Sequence, residues 1–356
     1  MITIGVDAHK RLHVALALDE AGREIGQWQG KNSAAGWRDL EQWAGAIGAN
    51  RQWGIEGAWG YGRGLAQHLV ALEEIVYEIN PRWTAQGRSR ARKTGKTDRL
   101  DARAVALMVR QEASTLPQVA PEDQTAVLDL LTRERDAAVG EATRLRNQIH
   151  ALLVYLDPEY ESRLPTLKSR AGLAALETYA SFSNDSLSQA RATAVRRLAQ
   201  RLRLALSQAE ELAVQIKDAA SFFSSLTQLC GINLLTAGAI AGVLGPGRRF
   251  QTDAQLASYA GAAPLEASSA GLIRHRLNRG GNRRLNAILY RIVLTQAHHS
   301  EEARAYLNRK VAQGKSKRGD ACSQALHRAG NLAPVAGVLS DRTYTSGGPR
   351  RLTPCT

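Results

Sequence analysis

Lys96-Thr97-Asp98-Arg99-Leu100-Asp101-Ala102-Arg103 is the stretch whose reading decides the fold. Thr97 is an N-cap residue type, and Leu100, Ala104, Leu107 and Met108 form an apolar stripe behind it. The segment therefore predicts the first turn of a helix. Asp98 and Asp101 stand three apart, so their carboxylates share one face. Around them lie Arg82, Arg88, Arg90, Arg92, Lys93, Lys96, Arg99 and Arg103. Two acids among many bases suggest a metal held against a polyanion. Two acids in a first turn also suit the helix dipole. The metal reading thus depends on further carboxylates elsewhere.

Upstream, Ile2 to Val6 predicts a buried strand ending at Asp7. His13 to Leu18 predicts a second, joined through Asp19-Glu20-Ala21-Gly22 to a third around Glu24 to Trp28. Ser33 caps a predicted helix from Ala34 to Ala46, with Trp37, Leu40 and Trp43 on one side. Gln52 to Ile55 reads as a short strand ending at Glu56, and the turn Gly57 to Gly62 leads into a helix through Leu65, Leu69 and Leu72. Ile75 to Ile79 is a further strand, stopped by Asn80-Pro81. A three-strand meander followed by alternating helices and strands predicts an α/β layout. All six tryptophans (28, 37, 43, 53, 59 and 83) fall here, as in a separately packed domain.

From Pro121 the pattern becomes helical. Ala138, Ala142, Leu145, Ile149, Leu152 and Leu156 keep a three-four spacing, as do Leu187, Ala194, Leu198, Leu202, Ala205, Leu212 and Ile216. Pro158 and Pro165 interrupt it. The expectation is two long helices in an antiparallel or intermolecular coiled coil, serving as a spacer or a dimerisation arm. Leu226 to Arg249 predicts two short helices about the turn Gly231-Ile232-Asn233. Thr252 or Asp253 caps a helix through Leu256 and Tyr259, and Gly261-Ala262-Ala263-Pro264 opens a loop with Ser268, Ser269 and Gly271. Arg274, His275, Arg276, Arg279, Arg283 and Arg284 follow, with Gly280-Gly281-Asn282 among them. Helices resume from Arg284 to His298 and from Glu301 to Val311, and the Gly/Ser/Thr/Pro/Arg-rich tail after Asp341 reads as disordered.

The chain has 356 residues, enough for two or three domains, with 44% apolar and 22% charged residues. A net charge of +14 points to a polyanionic partner, most often nucleic acid. Cys230, Cys322 and Cys355 form neither a disulfide framework nor a zinc pattern, which fits a reducing cytoplasm. The N-terminus opens on a strand rather than a signal peptide, and the apolar run Leu234 to Val243 is too short to span a bilayer.

Asp7 ends the first strand, Glu56 ends a later one, and Asp98 and Asp101 open a helix. In an RNase H-type sheet those strands lie side by side, and a following helix brings its first turn over their ends. Four carboxylates meeting there would repel one another without cations. Hard divalent ions with oxygen ligands, Mg²⁺ above all, relieve that repulsion. A metal on a phosphodiester orients the phosphate and stabilises charge at the attacking and leaving oxygens. The class of chemistry is therefore nuclease or strand transfer.

Gly5-Val6-Asp7-Ala8-His9-Lys10, Ile55-Glu56-Gly57 with Tyr61-Gly62, Asn80-Pro81 and Lys96-Thr97-Asp98-Arg99-Leu100-Asp101-Ala102 follow one another in an order that resembles the DEDD transposases of the insertion-sequence one-ten family. Phe250, Ser258-Tyr259-Ala260-Gly261-Ala262-Ala263-Pro264, Ser268-Ser269-Ala270-Gly271 and Gly280-Gly281-Asn282 resemble that family's C-terminal domain. Two departures stand out. Cys230-Gly231-Ile232-Asn233 replaces a Pro-Gly-Ile-Gly-like turn, and Ser269-Ala270-Gly271 replaces Ser-Gly-Gly.

The resemblance implies a RuvC-like (RNase H fold) DEDD domain over 1–118, bearing Asp7, Glu56, Asp98 and Asp101 as Mg²⁺ ligands. It implies a helical coiled-coil arm over 119–222 and a C-terminal transposase domain over 223–340, while composition marks 341–356 as a disordered tail. In the family a serine of the C-terminal domain joins covalently to DNA. By position relative to Pro264 that nucleophile is Ser269, with Ser268 the near alternative. The resemblance further implies donor and target DNA, a non-coding bridge RNA that pairs with both, and a tetramer with active sites completed between protomers. Arg88, Arg90, Arg92, Lys93, Lys96, Arg274, Arg276 and Arg279 are the expected nucleic-acid contacts.

Other readings remain. A junction-resolvase-like nuclease would use the same acids with water as nucleophile. A protein that kept the fold and lost the chemistry would bind RNA or DNA without cutting. An ATP-binding actin-like fold also begins with a strand ending in Gly-x-Asp, but no matching phosphate loops follow. His9 and Lys10 either touch phosphate or form a solvated turn. For Trp59 and Tyr61, core packing is favoured over stacking on a base. His298-His299 reads as a helix end.

Overall fold

The computed structural model describes residues 1–81, 97–245, 250, 253–262, 264–266, 275–277 and 281–313. They group into two compact units, one holding residues 1–123 and the stretch from Leu244 onward, the other holding residues 124–243.

The first unit contains a five-stranded mixed sheet made of β1 (Ile2–Ala8), β2 (Leu12–Leu18), β3 (Glu24–Lys31), β4 (Arg51–Glu56) and β5 (Ile75–Ile79). The strand order is β3-β2-β1-β4-β5. The β1–β2–β3 meander is antiparallel, whereas β4 joins β1 and β5 joins β4 in parallel. The parallel steps need crossovers. Helix α1 (Ala34–Ile47) and helix α2 (Arg63–Ala71) supply them. Ser33 caps α1 by accepting from the Gly36 amide.

Side chains alternate across a strand. Ile4, Val6, Ala15, Ala17, Trp53 and Ile55 pack with Leu40 and Ala44 of α1 and Leu65 and Leu69 of α2. Gly5 and Asp7 of β1, and Gly54 and Glu56 of β4, therefore share the opposite face. Helix α3 (Asp98–Glu112) covers it. Val14, Leu16 and Leu18 of β2 pack against Ala102 and Ala106, and Ile79 of β5 packs with Val105 and Val109.

Two glycines set how closely α3 lies. Gly5 and Gly54 are partners in the β1–β4 register. A Cβ on Gly5 would stand 2.2 Å from the Ala102 carbonyl oxygen and 2.3 Å from the Ala106 nitrogen. A Cβ on Gly54 would stand 2.4 Å from Val109 Cγ2. Side by side they form a slot for the helix backbone. The buried face of α3 is Asp101, Ala102, Val105, Ala106 and Val109. Of the expected stripe of Leu100, Ala104, Leu107 and Met108, Leu100 is exposed and the others are only partly buried, so the inward face is shifted from it. The slot itself takes small or β-branched side chains, and Leu107 and Met108 pack half-buried at its margins.

In the second unit, α4 (Gln124–Leu156) and α7 (Ser186–Ala219) are the long helices; α5 (Tyr160–Arg163) and α6 (Arg170–Glu177) lie between them in sequence. Arg201 bonds Glu141 at 3.2 Å and Arg191 lies over Tyr155, so α4 and α7 run antiparallel. Leu145, Ile149 and Leu153 interleave with Val195, Ala199 and Leu202 in their core. Leu187 is exposed instead, at the start of α7. A 3₁₀ segment (Ala220–Gln228) and α8 (Leu234–Leu244) follow. Asn233 accepts from the Thr236 amide at 2.9 Å, so the residue that departs from the family turn caps α8.

The C-terminal stretch contains α9 (Asp253–Tyr259), a hairpin of β6 (Pro264–Glu266) and β7 (His275–Leu277), α10 (Arg283–His299) and α11 (Glu301–Ala312). Asn282 caps α10 and donates to the Tyr259 hydroxyl at 2.9 Å. Gly281 lies against Gly261 so closely that a Cβ would meet the Gly261 nitrogen at 2.1 Å. His298 and His299 end α10, as expected. No described helix is long and apolar enough to cross a membrane. The tail after Asp341 lies outside the described residues.

Candidate metal centre

Parallel neighbours end at the same sheet edge, so Asp7 and Glu56 sit at the C-terminal ends of β1 and β4, each just past the Val6–Ile55 pair. Thr97 accepts from the Leu100 amide and starts α3 at that edge. Asp101 lies on the buried face of the helix, 3% exposed, while the Asp98 side chain is half exposed. The chain thus delivers carboxylates from three distant segments to one place.

Asp7 reports their convergence. It is 4% exposed. Burial pushes its pKa up to about 6; His9 pulls it down, and Glu56, Asp101 and Asp98 each push it up by charge repulsion. Between a phosphate contact and a solvated turn, the two readings its sequence allows, His9 faces the acids. Its Nε2 lies 3.1 Å from Asp7 Oδ2 and 3.4 Å from Asp98 Oδ1. The geometry to Asp7 is not that of a directed hydrogen bond, and Asp7 Oδ2 has no hydrogen-bond partner among the described residues. One ligand atom each from Asp7, His9 and Asp98 lies within 4.8 Å of the others. A buried carboxylate oxygen with no hydrogen-bond donor, flanked by further acids and by one imidazole at ion-pair distance, fits a divalent cation.

The surroundings hold the site in shape. The His9 amide donates to the Leu12 carbonyl at 3.1 Å. Asn32, just after β3, donates to the carbonyls of His9, Lys10 and Tyr61 and accepts from Trp37 Nε1 at 3.0 Å. It ties the β1–β2 loop to the turn after Glu56. Sequence reasoning missed Asn32, and a lone asparagine between a strand and a capping serine gives no signal for that role. Gly57, at φ 65°, makes the sharp turn directly after Glu56. Tyr61 corrects the core-packing expectation, because it is 59% exposed. Trp59 is half-buried, donates to Glu78 at 2.9 Å and has Arg63 over its ring. Arg99 bonds Glu24 at 2.6 Å.

Ser268, Ser269, Arg88, Arg90, Arg92, Lys93, Lys96, Arg274 and Arg279 lie outside the described residues, and Arg276 is described only as part of the β7 backbone.

Residues 4–158 match the model of a DEDD transposase family named for IS110, and residues 224–308 match that of the transposase family IS116/IS110/IS902. A 43.6 kDa protein of insertion element IS110 from Streptomyces coelicolor is 30% identical over 295 residues, covering 70% of this chain and 72% of that protein. The chain belongs to the IS110 family of transposases. A transposase of insertion sequence element IS1328 from Yersinia enterocolitica is 26% identical over 211 residues, 58% of this chain and 59% of that protein. This transposase is therefore an enzyme of DNA strand exchange, and its DEDD domain implies a divalent metal. The first match spans Asp7, Glu56, Asp98 and Asp101, the residues whose mutual repulsion is described above.

Proposed function

We propose that this transposase cuts and rejoins donor and target DNA through a Mg²⁺-bound DEDD site and a covalent serine–DNA intermediate, guided by a bridge RNA. The observation that carries the reading is the buried Asp7 carboxylate facing Glu56, Asp98 and Asp101 at one sheet edge, its pKa raised chiefly by burial and further by those acids. In this reading residues 1–118 are a RuvC-like RNase H domain. The paired helices α4 and α7 are a coiled-coil arm that brings protomers together, up to a tetramer.

Asp7, Glu56, Asp98 and Asp101 would hold Mg²⁺, which when bound neutralises phosphate charge and favours the leaving oxygen. Ser269 Oγ attacks phosphorus, the bond to one strand end breaks, and that oxygen departs as a hydroxyl. The phosphoserine ester conserves the bond energy until a second strand end attacks it and frees the serine. Ser268 is the neighbouring alternative. Arg88, Arg90, Arg92, Lys93, Lys96, Arg274, Arg276 and Arg279 would neutralise phosphates of DNA and RNA. The net charge of +14 supports such a partner. The work is cytoplasmic, where DNA and a freshly transcribed guide meet.

The test is a trapping reaction with nicked element-end DNA, the RNA transcribed from beside the gene, and Mg²⁺. The expected product is a detergent-resistant protein–DNA adduct mapping to Ser269, absent in Ser269→Ala and in Asp98→Ala. Cleavage without an adduct, retained in both Ser269→Ala and Ser268→Ala, would replace this reading with a resolvase-like nuclease using water. Cleavage independent of RNA would remove the guide from it.

A further inference from the structure

We propose that His9 is a nitrogen ligand of the divalent ion, making the centre a mixed nitrogen–oxygen site that prefers Mn²⁺ to Mg²⁺. The inference rests on the metal reading of the DEDD site and adds to it a residue outside the four acids. Three observations carry it.

The first is aim. His9 Nε2 stands 3.1 Å from an Asp7 oxygen and 3.4 Å from an Asp98 oxygen, and the three donor atoms fall within 4.8 Å of one another. Donors that share one ion stand at such spacings, since metal–ligand bonds run about 2.0–2.2 Å. The second is the absence of a directed hydrogen bond, for Nε2 stands only at ion-pair distance from Asp7 and Asp98. Nε2 is shielded from solvent and makes no hydrogen bond among the described residues. An imidazole nitrogen held at ion-pair distance from two acids, with no hydrogen bond fixing it to either, can turn the same lone pair to a cation that they share.

The third is preorganisation. A solvated turn leaves its backbone to water. Here the His9 amide is bonded to Leu12, and its carbonyl accepts from Asn32, which also grips Lys10 and Tyr61. A ring on so constrained a backbone reaches the ion with little conformational entropy left to lose.

The consequence is selectivity. Carboxylates alone suit Mg²⁺, whereas a nitrogen donor is accepted better by first-row transition ions than by Mg²⁺, least by Mn²⁺ and more by the ions after it. The order Mn²⁺ above Mg²⁺ follows, and Zn²⁺ would bind tightly and compete.

The experiment uses the full-length protein and Mn²⁺ as the probe. Pulsed electron paramagnetic resonance of the Mn²⁺ complex should show nitrogen coupling from a directly bound imidazole, lost in His9→Ala. Calorimetry should show that His9→Ala weakens Mn²⁺ by at least about tenfold. Mg²⁺ affinity should move by far less, so the ratio of the two collapses. Wild-type protein that binds Mn²⁺ without nitrogen coupling would overturn the assignment to His9 and leave the DEDD reading standing. Wild type that binds neither ion more tightly than Asp7→Asn would instead remove the DEDD metal reading itself. The wild-type spectrum requires no variant, so misfolding of His9→Ala does not blunt the test.

Discussion

Replacing Asp7 with asparagine should stabilise the metal-free protein while abolishing its response to metal. Asp7 is buried, and its pKa rises from 3.8 to about 6 through desolvation and the repulsion of Glu56, Asp101 and Asp98, partly offset by His9. A shift of about two units corresponds to roughly 3 kcal/mol of unfavourable ionisation in the folded state. The sign follows from where the proton sits. Between pH 3.8 and 6 the folded chain holds a proton on Asp7 that the unfolded chain has released. The cost is therefore complete above about pH 6 and vanishes below about pH 4. Metal-free wild type should regain roughly half of that total from this group between pH 8 and 5. Asp7→Asn, which has no charge to bury, should lack that slope and be more stable than wild type at pH 8 by up to about 3 kcal/mol. Urea unfolding in chelator, at pH 8 and pH 5, measures both. Adding Mg²⁺ or Mn²⁺ should raise the wild-type midpoint and leave that of Asp7→Asn unmoved. If Asp7→Asn is less stable than wild type in chelator at pH 8, or shows the same pH slope, Asp7 is not a strained ligand and the argument fails.

Three further perturbations probe other parts of the scheme. Gly5→Ala places a methyl 2.2 Å from the Ala102 carbonyl oxygen, so α3 must lift. A displacement of about 1 Å should cost around 100-fold in strand cleavage, alongside about 1–3 kcal/mol of stability from overpacking. Gel-based cleavage with Gly5→Ala at wild-type rate would show that the slot does not position Asp98 and Asp101. Asn32→Leu removes the shared anchor of His9, Lys10 and Tyr61; it should lower stability by about 1–3 kcal/mol and weaken Mn²⁺ binding, and unchanged Mn²⁺ affinity would detach the loop from the site. Changing Arg88, Arg90 and Arg92 together to alanine should weaken nucleic-acid binding for all sequences alike. The slope of log affinity against log salt should flatten by about three, and an unchanged slope would move the phosphate contacts elsewhere.

The sheet was legible because its signals are local. Strand periodicity, the Asp19–Gly22 turn and the Ser33 and Thr97 caps each depend on a few neighbouring residues, and β1 to β5 lie where those signals put them. Asp98 and Asp101 alone were ambiguous, because two acids in a first turn look alike whether they bind metal or suit a helix dipole; only Asp7 and Glu56, each ending a strand, pointed to a shared site, and the family resemblance fixed their order. The inward face of α3 was not legible. A stripe drawn through its larger apolar residues selects Leu100 and Leu107, whereas the helix rests on Ala102 and Ala106. What decides between them is a pair of glycines over forty positions apart in the chain, which become neighbours only when β4 pairs with β1. His9 and Asn32 were hidden for the same reason, since each acquires its role from partners brought together by folding.

The paired glycines and the four acids belong to one device. Each glycine precedes an acid by two residues, so the pleat that turns Gly5 and Gly54 toward α3 also turns Asp7 and Glu56 toward its first turn. The closer the helix lies, the nearer Asp101 comes to Asp7, and the greater the repulsion at neutral pH. Ala102, Val105, Ala106 and Val109 are fully buried beneath that helix. Their apolar contacts hold it down against the charge, each larger side chain contributing on the order of 1.5–3 kcal/mol. The acids are thus kept together by packing before any cation arrives, which is the condition for binding one without rearrangement. Weakening the slot and neutralising Asp7 should then oppose each other. Gly5→Ala relaxes repulsion as it disrupts packing, so in metal-free protein its cost should change when Asp7→Asn has already removed the charge. A double-mutant cycle that is additive would mean the helix and the acids are independent, and this account of the site would be wrong.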